Sequence, residues 1–255
     1  MQPAFAQNIG SNSVNADSTM AWYLKRISYW ASATKYAPEE SDSLIDLNRK
    51  LMGYVINFGG NADNLTARFP RSEALGLISM ASDDNKLKLY AWDTWTGNTM
   101  HYFNAVAQYS RGNGAGVKIL NDISDTTKTP DPGAYVTEIN TVHTSDGKVV
   151  YLVTDCTVAS KNEKATGIKA YTIENGELKN LSFFKTKKLI TNYIDLVYNI
   201  SYDPVNSFVS VIHFSADKKE LFIPVVSADG RLANKYWVYV FNGEMYVFKK
   251  QSKGI

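Results

Sequence analysis

The residues best suited to bind a ligand are concentrated between positions 86 and 103, which read KLKLYAWDTWTGNTMHYF. The candidate ligand-binding residues in this segment are Tyr90, Trp92, Trp95 and His101. Aromatic rings offer a flat apolar face on which the C–H groups of a sugar can stack, and an imidazole can donate a hydrogen bond to a hydroxyl group. The segment is therefore a candidate saccharide-binding surface.

A β-hairpin would bring these side chains to one face of a sheet. If residues 94–97 form a four-residue loop after Asp93, the register places Tyr90 opposite His101. Trp92 then lies on the same face, because side chains two residues apart in a strand point the same way. The other face of the first strand, which we expect to be the core side, carries Leu87, Leu89 and Ala91.

Two interpretations of the aromatic face stay open at the level of sequence. In the first, the face is exposed and binds a saccharide, with Trp95 at the turn. In the second, it lies under another sheet or under the N-terminal helices, with Tyr90 and His101 paired to each other. Aromatic stripes more often belong to a core than to a binding surface, which favours packing.

Acid–base chemistry at a glycosidic bond is an alternative use of polar residues near predicted strand ends. The candidate carboxylates are Asp93, Glu138 and Asp195. Such a pair would have to lie at the separation that glycoside hydrolysis requires. The same residues are equally suited to cap turns, which is the commoner role of acidic side chains at strand ends.

Neither a metal site nor a cofactor site is predicted. The histidines His101, His143 and His213 are far apart and lack the spacing of zinc ligands. The glycine-rich segment 111–118 lacks the order of a phosphate-binding loop, so we predict a turn there. Cys156 is the single cysteine, which excludes an internal disulfide, and its strand-like surroundings predict a small buried side chain.

The first part of the chain predicts an αα-hairpin. Residues 1–16 are rich in glutamine, asparagine and serine, and we expect them to be disordered. Apolar residues then recur at helical spacing through residues 17–60, with Asp17 as the predicted N-cap of the first helix. A loop at residues 38–40 is predicted to separate the two helices, and Gly59 and Gly60 are predicted to end the second helix. Two helices of this size cannot enclose a core, so we expect them to pack on the structure that follows.

Residues 61–255 predict a mainly β domain. Short runs of β-branched and aromatic residues alternate with hairpin turns, predicted at residues 83–86, 145–148, 174–177, 216–219, 228–231 and 242–244. The spacing of these turns is irregular, so the antiparallel meander could be an irregular, propeller-like fold or a sandwich. With the helical hairpin packed on it, residues 17–255 are predicted to form one structural unit.

Composition and charge restrict the partners. The chain has 255 residues, and its 27 basic and 25 acidic side chains leave a net charge of +2, which does not favour nucleic acid. No apolar run approaches the length of about 18 residues that crosses a bilayer, so no membrane span is predicted. The opening residues 1–7 end in Ala-Phe-Ala-Gln, which fits a largely removed export signal. The predicted location is periplasmic, cell-surface or extracellular.

Two segments of the chain carry a resemblance. The pattern K-L-x-x-Y-x-W-D-T-x-T-G-x-T-M-H at residues 86–101 and the segment NKYWVYVFNG at residues 234–243 resemble a group of uncharacterised exported proteins of Gram-negative bacteria. The resemblance covers residues 75–110 and 190–250, and the group usually has glycine where this chain has Asn98. It implies export and β-structure, and it carries no known activity.

These observations leave three functional hypotheses. The favoured one is a binding module without catalytic activity, for a glycan or an envelope protein, which uses either the residues around Trp95 or the aromatic side of the first helix. That side carries Trp22, Tyr29 and Trp30. The second is a hydrolase that acts on polysaccharide or peptidoglycan. The third is a structural envelope subunit, and the sequence does not determine an oligomeric state.

Overall fold

The computed structural model describes residues 4–34, 41–97, 100–124, 132–200 and 210–253. Within these residues the fold is mainly β, with antiparallel sheets that follow an N-terminal pair of helices, as predicted. The chain has two compact units. The first extends to Tyr135 and includes Asn175–Glu177, and the second contains Val136–Glu174 and the chain from Leu178 onward.

The helices are α1 (Ala4–Thr34), α2 (Ser41–Gly59), a 3-10 turn (Ala62–Thr66) and the short α3 (Pro70–Glu73). The end of α2 at Gly59 confirms the predicted glycine stop. The start of α1 differs from the prediction, because residues 4–16, expected to be disordered, belong to the helix. The predicted loop between the helices, residues 38–40, lies outside the described residues.

Asp17 lies inside α1 and caps a different helix. Its carboxylate accepts hydrogen bonds from the backbone N–H of Arg71 at 3.1 Å and of Ser72 at 2.9 Å, both in the first turn of α3. The hydroxyl of Ser72 donates to the same carboxylate at 2.8 Å. The prediction that Asp17 is the N-cap of the first helix is therefore wrong, and the N–H groups that its carboxylate satisfies come from a distant segment.

The strands, in chain order, are β1 (Ile78–Ala81), β2 (Leu87–Asp93), β3 (Phe103–Ser110), β4 (Ala115–Asn121), β5 (Tyr135–His143), β6 (Val149–Val158), β7 (Glu163–Glu174), β8 (Glu177–Asn180), β9 (Phe184–Lys185), β10 (Ile190–Thr191), β11 (Tyr193–Asn199), β12 (His213–Phe214), β13 (Glu220–Val226), β14 (Leu232–Phe241) and β15 (Tyr246–Lys253). They form sheets of order β1-β2-β3-β4, β11-β7-β6-β5 with β8 beside β7, and β10-β9-β15-β14-β13-β12. The pairing of β15 with β9 is parallel.

The predicted hairpin turns join neighbouring strands of these sheets. Glycine or asparagine supplies the positive φ in these turns, as at Asn175 and Gly176 with φ values of 54° and 73°, except at residues 216–219, where Lys218 has a φ of 56°. A proline inside a strand indicates an edge position or a bulge, and at Pro224 the register between β13 and β14 shifts before Val226. Local turn chemistry is therefore the best predicted part of the fold.

The helices and the first sheet share one hydrophobic core. Met20, Leu24 and Ile27 of α1 are buried against the apolar side of α2, and Tyr90, Trp92 and Val106 of the sheet belong to the same cluster. This packing explains why the boundary predicted at residues 60 and 61 lies inside the first unit, since neither layer encloses a core alone.

The second unit has a core of its own, built between two sheets. Val150, Leu152, Ile168 and Ala170 contribute from the sheet of β6 and β7, and Leu221, Ile223, Tyr239 and Tyr246 contribute from the sheet of β13, β14 and β15. Two sheets that bury their inner faces against each other form a sandwich, which was one of the two predicted alternatives. The predicted single unit over residues 17–255 is thus divided in two by contact clustering.

Lys88 is an unusual member of the first core. Its side chain on β2 is buried, and its ammonium group donates a hydrogen bond to the carbonyl of Ala67. The same group lies 4.8 Å from the ring centre of Phe69 and 5.5 Å from that of Tyr90, which are cation–π distances. Burial nevertheless lowers the pKa of Lys88 to about 8, because a charged ammonium is poorly solvated there.

Replacing Lys88 with methionine tests this burial through the pH dependence of stability. The folded protein releases the Lys88 proton near pH 8, whereas the unfolded chain keeps it up to the ordinary pKa of 10.5. At Lys88 the unfolded state therefore binds more protons between these values, so the contribution of Lys88 to the free energy of unfolding rises with pH in that window. We expect Lys88→Met to lack this rise, which amounts to about 3 kcal/mol.

Urea denaturation of both proteins from about pH 7 to about pH 10 measures the effect. Lys86→Met is the matched control, because Lys86 is exposed in the preceding turn and its removal should leave the pH dependence unchanged. If natural protein and Lys88→Met give parallel curves over this window, the proposed pKa of Lys88 is wrong.

Candidate functional site

The predicted ligand-binding segment forms a longer hairpin connection than expected. Asp93 pairs with Phe103, so the connection comprises residues 94–102 and not residues 94–97 alone. The predicted register, with Tyr90 opposite His101, is wrong. Thr94 joins the two ends of this connection, because its backbone N–H and its hydroxyl both donate to the carbonyl of Tyr102 at 2.8 Å.

Two of the four predicted ligand-binding residues lie in the core. The exposed fraction of Tyr90 and of Trp92 is 0%, so neither ring can contact a ligand from solvent. Tyr90 donates its hydroxyl to Gln108 at 2.9 Å and not to His101. The packed alternative is therefore correct for this face, which lies under the helices. The opposite face of β2, expected to be the core side, is buried as well.

Asn48 of α2 fixes the end of β2. Its side-chain oxygen accepts a hydrogen bond from the indole N–H of Trp92 at 3.0 Å, and its side-chain nitrogen donates to the carbonyl of Thr94 at 2.9 Å. The same nitrogen also donates to Leu44 in the preceding helical turn at 2.9 Å. Asn48 is fully buried, so the position at which the connection leaves the strand is set by a helix.

Trp95 and His101 are the two predicted residues that reach solvent, and Asp93 holds both of them. One oxygen of its carboxylate accepts the backbone N–H of Trp95 at 2.8 Å, and the other forms a hydrogen bond with Nδ1 of His101. Trp95 is 50% exposed, whereas the side chain of His101 is 32% exposed and that of Asp93 17% exposed. We call these three residues the Trp95 surface.

Trp95 adopts an unusual backbone conformation. Its φ of +57° lies in the left-handed region, which costs free energy for a residue with a large side chain. The hydrogen bond from Trp95 N–H to Asp93 compensates in part, as in other turns that begin with aspartate. Gly97 allows the connection to fold tightly on itself, because a Cβ there would lie 1.8 Å from the carbonyl oxygen of Met100.

Ring contacts connect this exposed surface with the interior. The indole of Trp95 meets the imidazole of His101 edge to face at 5.9 Å, and the imidazole stacks on Phe103 at 6.3 Å. Phe103 is buried and contacts Tyr135 at 6.0 Å. The orientation of Trp95 is thus supported both through its backbone and through its ring.

The arrangement suits two kinds of chemistry. An exposed indole beside an imidazole and a carboxylate offers one flat apolar face with polar groups at its edge, which is the pattern of a saccharide subsite. A carboxylate that receives Nδ1–H of a histidine also sets the imidazole tautomer with Nε2 as the acceptor, as in general bases. Asp93 was predicted either as a catalytic acid or base or as a turn cap, and its hydrogen bond with His101 was not predicted. The aspartate two residues before Trp95 was the available signal, because it predicts an Asx turn.

Two of the three candidate carboxylates, Glu138 and Asp195, are too far apart to form an acid–base pair. Asp93 belongs to the first unit, and Glu138 and Asp195 belong to the second. Glu138 on β5 and Asp195 on β11 stand on the first and last strands of the path β11-β7-β6-β5. Three strand spacings separate them, which is about 14 Å and wider than glycoside hydrolysis uses.

The structure also shows the surroundings of the histidines, of Cys156 and of the glycine-rich segment. Among the described residues, no group of three or more histidine, cysteine or acidic side chains could hold a metal ion. Cys156 is buried, as predicted, and its burial raises the pKa of the thiol to about 12. Arg111 N–H donates to the carbonyl of Gly114 at 2.8 Å, which confirms a turn in the glycine-rich segment. No helix within the described ranges is long and apolar enough to cross a membrane.

The second unit contains an open cavity of about 540 Å³. Its lining residues are Thr144, Ser145, Asp146, Lys148, Leu181, Ser182, Phe183, Glu244 and Met245. Two of its charged groups already have protein partners, since Lys148 forms an ion pair with Glu174 at 2.8 Å and Asp146 accepts a hydrogen bond from Thr144. The cavity therefore offers a ligand fewer unused polar groups than its lining suggests, and the Trp95 surface is the stronger candidate.

Comparison of the sequence with models of protein families and with curated proteins finds no match. The resemblance to exported envelope proteins therefore stays a prediction. The geometry of the Trp95 surface is the basis on which a function can be proposed.

Adding a methyl group at Gly97 should disrupt the Trp95 surface. We expect Gly97→Ala to lose about 1 to 3 kcal/mol of stability, because the connection must open to relieve the contact with Met100. Gly53→Ala in α2 is the control. Nothing lies within 4 Å of a Cβ at Gly53, so alanine there should be neutral or stabilise the helix by up to about 1 kcal/mol.

Thermal unfolding measures the stability of both variants, and the NMR signals of the His101 ring report on the connection itself. Unchanged stability together with unchanged His101 signals in Gly97→Ala would show that the tight folding around Gly97 is not present in solution.

Proposed function

We propose that this protein is a binding module without catalytic activity and that the Trp95 surface binds a saccharide ring. The observation that carries the proposal is the exposed indole of Trp95, held in a left-handed backbone conformation by Asp93. A half-exposed tryptophan contributes little to a core, so its strained backbone brings the fold no evident benefit. Strain of this kind persists where the surroundings impose it, and it is concentrated at binding and active sites.

Preorganisation supports the same proposal. A ligand that stacks on Trp95 would not have to immobilise the indole, because His101 already contacts the ring and Asp93 holds the backbone. Binding to a rigid surface avoids the entropic cost of ordering it. His101 and Asp93 lie beside the ring, where the hydroxyl groups of a stacked sugar would meet polar atoms. The predicted export of the protein to the cell envelope agrees with a glycan as ligand.

A hydrolase is the second candidate, and the pairing of Asp93 with His101 is the observation that favours it. A histidine oriented by a carboxylate can take a proton from water or from a hydroxyl group. The same pair would serve a binding module equally well by holding the imidazole as a fixed hydrogen-bond partner. The two functions therefore differ in turnover and not in geometry.

Replacing Trp95 with alanine should abolish saccharide binding. Isothermal titration calorimetry with muropeptides and polysaccharide fragments would identify a ligand of the natural protein, and we expect Trp95→Ala to bind that ligand at least about tenfold more weakly. Trp237→Ala is the matched control, because Trp237 is 39% exposed but lies in the second unit. Equal affinities of Trp95→Ala and the natural protein, or a natural protein that binds none of these saccharides, would contradict the proposal.

Substitution of Asp93 distinguishes the two candidate functions. We expect no release of reducing ends from any bound saccharide by the natural protein, and a weaker affinity in Asp93→Asn because the amide no longer fixes His101. Turnover by the natural protein that disappears in Asp93→Asn would assign the site to a hydrolase.

A further inference from the structure

One side of α1 exposes large aromatic and basic residues together. Trp22 is 55% exposed and Tyr29 is 59% exposed, and Lys25 and Arg26 lie between them in the sequence and are also exposed. At about 100° per residue these four side chains fall within about a third of the helix circumference. We call them the α1 stripe. The buried residues Met20, Leu24 and Ile27 occupy the opposite side.

Both exposed rings are held by neighbours that pack on the core. Trp22 contacts Tyr23 edge to face at 5.0 Å, and Tyr29 contacts Trp30 in the same way at 5.3 Å. Tyr23 and Trp30 are partly buried against the hydrophobic cluster of the first unit. The stripe is therefore a rigid surface whose aromatic area is already ordered before any partner binds.

The charge of this surface is positive. The charged residues of α1 are Asp17, Lys25 and Arg26, and Asp17 is buried with its carboxylate engaged by α3. Arg71 of α3 adds a third cation on the same side, because its guanidinium donates to the hydroxyl of Ser18 at 2.9 Å. Arg26 also lies 5.5 Å from the ring centre of Tyr29, so cationic and aromatic groups are mixed within the stripe.

The shape of the stripe indicates what kind of partner it fits. Trp22 and Tyr29 are seven residues apart, which is about 10.5 Å along the helix axis, and both project from the same side. Two such rings on the convex side of a helix can touch one plane at once. Small ligands are bound in concave sites, so a planar partner fits this side better.

We propose that the α1 stripe docks the protein on an anionic lipid bilayer. Tryptophan and tyrosine favour the boundary between lipid headgroups and acyl chains, and lysine and arginine are attracted to lipid phosphates. The helix lies on the bilayer and does not cross it, because its apolar side is buried against α2. This inference does not depend on the saccharide function, since the residues of the α1 stripe and those of the Trp95 surface are different.

Co-sedimentation with vesicles tests the proposal. We expect the natural protein to bind vesicles of phosphatidylcholine mixed with phosphatidylglycerol, and to bind much less to vesicles of phosphatidylcholine alone. Each cation near an anionic surface contributes about fivefold in partitioning, so Lys25→Glu combined with Arg26→Glu should weaken binding by at least about 25-fold. Trp22→Ala combined with Tyr29→Ala should weaken the binding that persists at high salt.

Lys249→Glu combined with Lys250→Glu is the charge-matched control, because both lysines are exposed on β15 of the second unit. Circular dichroism verifies that each variant is folded, and the salt dependence of the natural protein tests the same inference without any substitution. No binding of the natural protein to anionic vesicles would overturn the proposal. Equal loss of binding in the control would also overturn it, because the binding would then depend on the overall charge of the protein and not on the α1 stripe.

Discussion

The buried hydrogen bond between the indole of Trp92 and the amide of Asn48 determines how the first unit is organised. Asn48 contacts the sheet from a helix, and its two polar atoms are satisfied by Trp92, Thr94 and Leu44. Each buried polar group left without a partner would cost about 1 to 3 kcal/mol. The helical hairpin and the sheet therefore have one mutual position in which this group of donors and acceptors is complete, and the hydrophobic contacts around it supply most of the stabilisation.

That constraint also decides where the exposed surface begins. Because the carbonyl of Thr94 is held by Asn48, the chain leaves the core at a defined point, and Asp93 is the last residue of β2 before it does so. The carboxylate of Asp93 then holds the backbone of Trp95 and the imidazole of His101, and Phe103 supports the imidazole from β3. The hydrogen bond between Asn48 and Thr94 thus fixes the end of β2, and the carboxylate of Asp93 at that end holds the other two residues of the Trp95 surface.

Features that depend on residues close together in the sequence could be predicted. Features that depend on contacts between distant residues could not. The turns were predictable because Asn175 and Gly176 tolerate positive φ wherever they occur. The length of the connection after β2 could not be predicted, because it depends on the hydrogen bond from Thr94 to Tyr102 and on the hydrogen bond from Asn48 of α2 to Thr94. The prediction that Asp17 caps the first helix was wrong, because its hydrogen-bond partners belong to a segment more than fifty residues later. Of the four predicted ligand-binding residues, Trp95 and His101 reach solvent because they follow the strand end, whereas Tyr90 and Trp92 precede it and are buried.

The two exposed aromatic surfaces of the first unit are stabilised by different contacts, so one of them can be lost while the other persists. The rings of the α1 stripe are held by adjacent residues of one helix, so they keep their arrangement as long as the helix persists. The Trp95 surface depends on a carboxylate at a strand end and on a connection that folds tightly around Gly97. Segments of that kind open locally at a lower free energy than helices packed on a core. Conditions that loosen the connection should therefore remove the Trp95 surface first and leave the α1 stripe intact, which means that the two surfaces can be lost separately although they belong to one compact unit.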